Sequence, residues 1–135
     1  MNEFNRRIIE EFRANEGKVG GMYQNASVLL LTTTGAKTGR VTTTPVVYTK
    51  DGDRFVIIAS KGGAPTNPAW YHNLRANPDT TIEVGSETIP VRASIPERPE
   101  RDRLFQTVSA VMPGFAEYQR NTKRVIPVVI LEPRD

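Results

Sequence analysis

The sequence predicts an α+β protein, a small barrel of about six mostly antiparallel strands with about three helices. Two observations carry this reading. Short runs rich in branched residues follow one another across tight, glycine-bearing turns, and only three stretches place apolar residues at helical spacing.

The elements follow in order. Residues 3–15, EFNRRIIEEFRAN, put Phe4, Ile8, Ile9 and Phe12 on one face, with Gly17 as a stop, so an amphipathic helix occupies the first 17 residues. Such a face packs on a core, serves as a lid or lies on a membrane surface, and the pattern alone leaves these open. SVLLLTTT (27–34) and VTTTPVVYT (41–49) read as strands around the connection GAKTGR. Lys50-Asp51-Gly52-Asp53 then supplies a hairpin turn into FVIIAS (55–60). After SKGGAPT, Asn67 is the expected N-cap and Pro68 the first helical residue of a helix bearing Trp70 and Leu74, ended by Asn77-Pro78. TTIEV (80–84) and ETIPVRASI (87–95) form the next hairpin through Gly85-Ser86, with Pro90 indicating an edge or a bulge. Leu104, Phe105, Val108 and Val111 mark a helix within 97–112, interrupted by Pro113-Gly114. FAEYQRNT continues it briefly, and VIPVVIL (125–131) is the closing strand.

The 135 residues fit one domain, 1–135, large enough to bury roughly two thirds of its unfolded surface. No repeat, low-complexity tract or linker interrupts it. The absence of cysteine excludes disulfides, thiolate metal sites and thiol nucleophiles, and a single histidine leaves a zinc or iron site dependent on carboxylates, so no metal is expected. Eighteen Lys+Arg against fifteen Asp+Glu give a net charge of +3, part of it concentrated at Lys37 and Arg40. Basic residues are not interleaved with aromatics along one face, which argues against nucleic acid. No apolar run approaches the ~20 residues of a membrane span, and the N-terminus lacks a signal-peptide core. The expectation is a cytoplasmic protein, with membrane association through the N-terminal helix left open.

Two stretches invite chemical readings. TTTGAKTGR has the composition of a phosphate loop, but its glycines, Gly35 and Gly39, do not have Walker spacing and a strand follows rather than a helix. It is either a solvated hairpin or an anion site in which amides and the cations Lys37 and Arg40 converge. In ASKGGAPTNPAWYHNL, the Gly62-Gly63 pair permits close approach of a flat ligand, and Trp70 either walls that ligand or belongs to the core. His72 has no hydrolase partner in a recognisable pattern and reads as a surface or structural residue.

Taken together, LLLTTTGAKTGRVTTTPVVY, the DGD hairpin, ASKGGAPTNPAWYHNLRANP and YQRNTKRVIPVVIL resemble the deazaflavin (coenzyme F420)-dependent nitroreductase family, which includes the F420H2-dependent quinone reductases. The resemblance runs from about residue 17 to 133. It implies an FMN-binding split-barrel-like fold and an oxidoreductase that passes a hydride from reduced F420 to a quinone, nitroaromatic or similar planar electrophile. The cofactor then brings the reactivity, and no catalytic triad is needed. The alternatives are an FMN-binding split-barrel reductase and a non-catalytic F420 carrier.

By the same resemblance, the anionic tail of F420 rests on Lys37, Thr38 and Arg40, and Thr43, Thr44 and Pro45 line the cofactor. Ala59, Ser60, Lys61 and Gly62 meet its ring, with Asn67, Trp70 and Asn73 closing that side. Met112, Phe115 and Tyr118 line the acceptor pocket, which the N-terminal helix helps complete. Homodimerisation is implied as well. Two positions depart from the family pattern: Thr42 stands where a basic residue is common, and MPGFAEY keeps only Tyr118 where nitroimidazole-reducing members present several tyrosines.

Overall fold

A computed structural model describes residues 3–21 and 26–134. Its strands are β1 (Val28–Thr34), β2 (Val41–Val47), β3 (Thr49–Asp51), β4 (Arg54–Ile58), β5 (Asp79–Val84), β6 (Glu87–Ser94) and β7 (Val128–Pro133). Its helices are α1 (Glu3–Ala14), α2 (Ala69–Ala76), α3 (Glu100–Val111) and α4 (Gly114–Arg120).

The sheet order is β2-β1-β5-β6-β7-β4-β3, and every pairing is antiparallel. The two outer members, β2 and β3, are halves of one segment interrupted only at Tyr48. Residues 41–51 therefore pair with β1 through their first half and with β4 through their second, which curls the sheet into a split barrel. Tyr48 marks the bend: its N–H donates to the Ser27 carbonyl at 3.0 Å and its ring meets Phe55 edge-on. Counted by segment there are six strands, as the sequence predicts. The fourth helix arises because Pro113 separates α3 from α4.

The apolar strands VLLL, FVII and VVIL are buried on both faces, which explains their unbroken hydrophobic runs. One parity, Leu29, Leu31, Phe55, Ile57, Val129 and Leu131, packs with Trp70, Tyr71 and Leu74 of α2. The other parity splits. Leu30 and Val28 meet Ile8, Ile9 and Phe12 of α1, whereas Val56, Ile58, Val128 and Ile130 meet Leu104, Phe105, Val108 and Phe115 of the C-terminal helices. The apolar face of α1 is thereby spent on the barrel, with only Phe4 exposed. Arg13 adds a paired contact to Glu83 of β5 at 2.8 and 3.0 Å.

Local details refine the sequence reading. The helix ends at Ala14, and Glu16 rather than Gly17 is the first residue in the left-handed region (φ +55°); Gly17 follows at φ +93°, its N–H donating to the Phe12 carbonyl, and lies so close to Gly85 that an added Cβ would stand 2.7 Å from the Gly85 Cα. Asn67 is not the N-cap of α2: Pro68 occupies that position in extended geometry, because the Asn67 carboxamide is engaged elsewhere. The β3–β4 turn is Gly52-Asp53, since Asp51 pairs with Arg54. Pro90 sits within β6 opposite Thr81, at the end of the β6–β7 ladder, which covers Val91 to Ser94; its carbonyl accepts from the Arg134 N–H at 3.0 Å, so its missing N–H falls at the margin of that pairing.

Candidate functional site

Two clefts lie on either side of the start of α2. The first, about 570 Å³, is built from the β1–β2 connection and one face of α2 and is lined by Gly35, Ala36, Lys37, Thr38, Arg40, Thr42, Ala69, His72 and Asn73. The second, about 460 Å³, is lined by strand residues including Pro45, Val46 and Val47, by Ser60, Lys61 and Gly62, by Pro68 and Trp70, and by Met112, Phe115 and Tyr118. β2 and the start of α2 contribute to both, through Thr42, Ala69, His72 and Asn73 at the first and through Pro45, Val46, Val47, Pro68 and Trp70 at the second.

The first cleft rests on a closed loop. The Gly35 N–H donates to the Arg40 carbonyl at 2.7 Å, and the Gly39 N–H to the Gly35 carbonyl at 3.0 Å. A Cβ on Gly35 would stand 2.7 Å from the Thr38 hydroxyl oxygen and 3.3 Å from the Arg40 carbonyl oxygen, so a larger residue here would displace the Thr38 hydroxyl. Thr38 Oγ1 accepts from the Arg40 N–H, fixing the turn from within. Asn73 ties the loop to α2: its Oδ1 accepts from the Ala36 N–H at 3.0 Å and its Nδ2 donates to the buried Thr33 hydroxyl at 3.1 Å. Among the described residues, the N–H groups of Lys37 and Thr38 have no internal hydrogen bond, and neither Lys37 nor Arg40 pairs with a carboxylate. Two amides and two cations remain available for an anion, a donor set suited to phosphate or carboxylate.

The second cleft is mainly apolar. Its floor is the turn Lys61–Gly63, whose residues take φ values of +49°, +65° and +85°. The glycines reach this region without strain, whereas Lys61 incurs roughly 1–2 kcal/mol. Opposite stands α4, whose backbone at Tyr118 lies 3.2 Å from where a Gly63 Cβ would project. Phe115 and Tyr118 meet edge-to-face on this wall. Trp70, 8% exposed, belongs to the core cluster and also lines the cleft.

The structure therefore gathers Lys37, Thr38, Arg40 and Asn73 at one cleft and Pro45, Ser60, Lys61, Gly62, Trp70, Met112, Phe115 and Tyr118 at the other. Four predicted residues line neither. Ala59 is fully buried, Thr43 shares a hydrogen bond with Thr32, Thr44 pairs opposite Leu31, and Asn67 accepts from Arg124 Nη1 at 2.6 Å. No residue of α1 borders the second cleft.

Two residues gain weight that the sequence did not give them. His72 is exposed on the wall of the cationic cleft, its ring edge-on to Tyr71. Arg124 lies beneath the second cleft's floor, where burial lowers its guanidinium pKa from the ordinary value. In the sequence it is one of three basic residues in RNTKR, and only its tertiary partners set it apart from Arg120 and Lys123.

Comparison with known proteins gives consistent matches. The family described as F420H(2)-dependent quinone reductase matches residues 4–133. The F420H(2)-dependent quinone reductase of Mycobacterium tuberculosis strain H37Rv is 45% identical over 127 residues, covering 91% of this chain and 85% of that protein. A solved F420-H2 dependent reductase superposes with a TM-score of 0.71 at 38% identity, over 78% of this chain and 93% of its own. A solved domain-swapped dimer gives 0.74 at 34% identity, over 94% and 96%.

Proposed function

The chain belongs to the F420H(2)-dependent quinone reductase family, and on that premise we propose how its two clefts divide the work of an F420-dependent oxidoreductase acting on a quinone. One observation carries the reading: a cationic cleft and an apolar cleft share β2 and the start of α2, which suits a ligand with an anionic tail and a flat ring.

The residues present fit F420. Lys37 and Arg40, unpaired with carboxylates among the described residues, hold the anionic tail together with the two available amides, while Asn73 keeps their loop against α2. Pro45 and Trp70 wall the ring, and Gly62, without a side chain, lets it approach the turn. When bound, reduced F420 supplies a hydride from its central ring. The chain's own contribution is orientation and exclusion of water. Met112 and Phe115 offer an apolar surface to a quinone, and Ser60, Lys61 and Tyr118 are among the lining side chains that carry a donor for a quinone oxygen.

FMN is the less suited occupant, because its single phosphate leaves most of a cationic cleft of about 570 Å³ unused. The match to a domain-swapped dimer supports a homodimer as the assembled form, to be checked by light scattering. The functional reading is tested by titrating the protein into F420 and FMN separately, following fluorescence, and then supplying menadione to the F420H2-loaded protein. Quenching by F420 at lower protein concentration than by FMN, followed by accelerated oxidation, is the expected result. Preference for FMN, or oxidation no faster than in buffer, would overturn it.

A further inference from the structure

The floor of the apolar cleft is strained, and its support comes from a distant part of the chain. Lys61 holds a left-handed conformation that side chains adopt rarely, and such strain persists only where the surroundings over-determine it. Local bonds alone are few: the Gly63 N–H donates to the Ser60 carbonyl and the Ala64 N–H to the Lys61 carbonyl, at 3.0 and 3.2 Å. Lys61 Nζ adds a long bond to Thr66 Oγ1 at 3.4 Å and Gly63 abuts the Tyr118 backbone, but the support that reaches both ends of the turn is Arg124. Its Nη2 donates to the carbonyls of Ala59 (3.2 Å) and Ser60 (2.8 Å), just before the turn. Its Nε donates to the Ala64 carbonyl (2.9 Å), just after the turn, and its Nη1 to Asn67 Oδ1. One planar guanidinium thus grips both ends of the turn and the approach to α2.

The arginine is held in place from behind. Gln119 of α4 donates through Nε2 to the Arg124 carbonyl at 2.7 Å, and its Oε1 accepts from the Ile126 N–H at 2.9 Å and from Arg101 Nη2 at 2.8 Å. Buried Arg101 also donates to the Ile126 carbonyl. Floor and opposite wall are therefore both fastened to Arg124, the wall to Ile126 as well. No carboxylate pairs with Arg124 among the described residues, so its hydrogen bonds go to groups whose geometry it sets rather than to a counter-ion.

We propose that Arg124 is a positioning residue for hydride transfer: it holds the Lys61–Gly63 turn in its left-handed form, so that the ring-binding floor faces the Met112–Tyr118 wall at a fixed separation. It touches neither ring nor acceptor. The inference rests on the apolar cleft being the ring site, and the experiment separates the two.

The variants are Arg124→Met, which keeps the apolar stem, Arg124→Lys, which keeps the charge with fewer donors, and Asn67→Ala, which removes one acceptor. Each is titrated into F420 after its thermal stability is measured, and each is assayed with menadione. In Arg124→Met the tail cations still bind, so the dissociation constant rises by about tenfold. The absorbance and fluorescence of the saturated complex move toward those of free F420, and kcat falls more than KM rises. Arg124→Lys recovers part of the spectral change, and Asn67→Ala shows the same changes at smaller amplitude. A merely structural arginine would shift thermal stability and leave the saturated spectrum and kcat as in the wild type. That result in Arg124→Met overturns the inference, and should this variant fail to fold, the same result in both Arg124→Lys and Asn67→Ala overturns it. Absence of any F420 signal from wild-type protein would overturn the cleft assignment itself.

Discussion

The two clefts are built on opposite plans. The cationic one comes from two short pieces of chain, 35–42 and 69–73, and its charged side chains stand outside the core. The apolar one draws on five regions between Ala26 and Tyr118, and several of its residues, Ile58, Trp70 and Phe115, are core members. Removing a surface cation therefore subtracts an interaction, whereas altering the apolar cleft disturbs the packing that folds the chain. Affinity should be separable from stability at the first cleft and inseparable from it at the second.

The sharpest test of this contrast is Lys37→Ala with Arg40→Ala. Each lost charge-assisted contact is worth at least about 1.5 kcal/mol, so F420 affinity falls on the order of 100-fold or more. Thermal stability stays within about 1 °C of wild type, since neither residue pairs with a carboxylate or packs in the core. Wild-type affinity should also weaken with added salt, and the double variant should lose most of that dependence. A fluorescence titration at two ionic strengths reads both effects. A large loss of stability in the double variant would break the contrast from the cationic side.

From the apolar side, the informative pair is Gly63→Ala and Gly62→Ala. Both positions have positive φ, +85° and +65°, so each alanine incurs roughly 1 kcal/mol of backbone strain. At Gly62 nothing lies within 4 Å of the added methyl, but at Gly63 it meets the Tyr118 carbonyl oxygen at 3.2 Å and Cα at 3.4 Å. Gly63→Ala should therefore lose about 2 kcal/mol in a urea unfolding experiment, and Gly62→Ala about half of that. Because the clash pushes α4 from the floor, Gly63→Ala should also change quinone turnover more than Gly62→Ala does. Equal stabilities would mean that α4 yields freely, and the two walls would not be mechanically linked.

How much of each cleft could be read in advance follows the same division. Lys37, Thr38 and Arg40 sit in one glycine-bracketed turn, so their convergence is a local property of GAKTGR. Met112, Phe115 and Tyr118 were reached only through family resemblance, since helical spacing alone cannot say which strand a helix will face. Asn67 illustrates the limit. Asn-Pro before an apolar run is a good capping signal, yet a guanidinium 57 positions away takes the carboxamide and leaves Pro68 to begin the helix. Arg124 was illegible for the reciprocal reason: its meaning lies in the backbone carbonyls it reaches, and carbonyls leave no trace in a sequence. The bend at Tyr48 was hidden too, because one continuous strand pattern served two ends of the sheet.

A region remote from both clefts supplies the control with the smallest expected effect. Asp51, at the end of β3, is held below the usual carboxylate range first by its hydrogen bond from Arg54 and then by Arg103. Its folded pKa is thus lower than its unfolded one. The stabilisation is fully present above the unfolded value of about 3.9 and is lost as pH falls through the lowered folded value. Both partners are partly exposed, so solvent screening limits the contribution to about 0.5 kcal/mol. Asp51→Asn should lower stability by that amount at neutral pH, and the gap to wild type should close as urea unfolding is repeated from about pH 5 down toward pH 2. F420 affinity should not change at any pH where both proteins remain folded, since Asp51 lines neither cleft. A coupled loss of affinity would mean that strain at the β3–β4 hairpin passes through Tyr48 to β2, and neither cleft would then be independent of the barrel's closure.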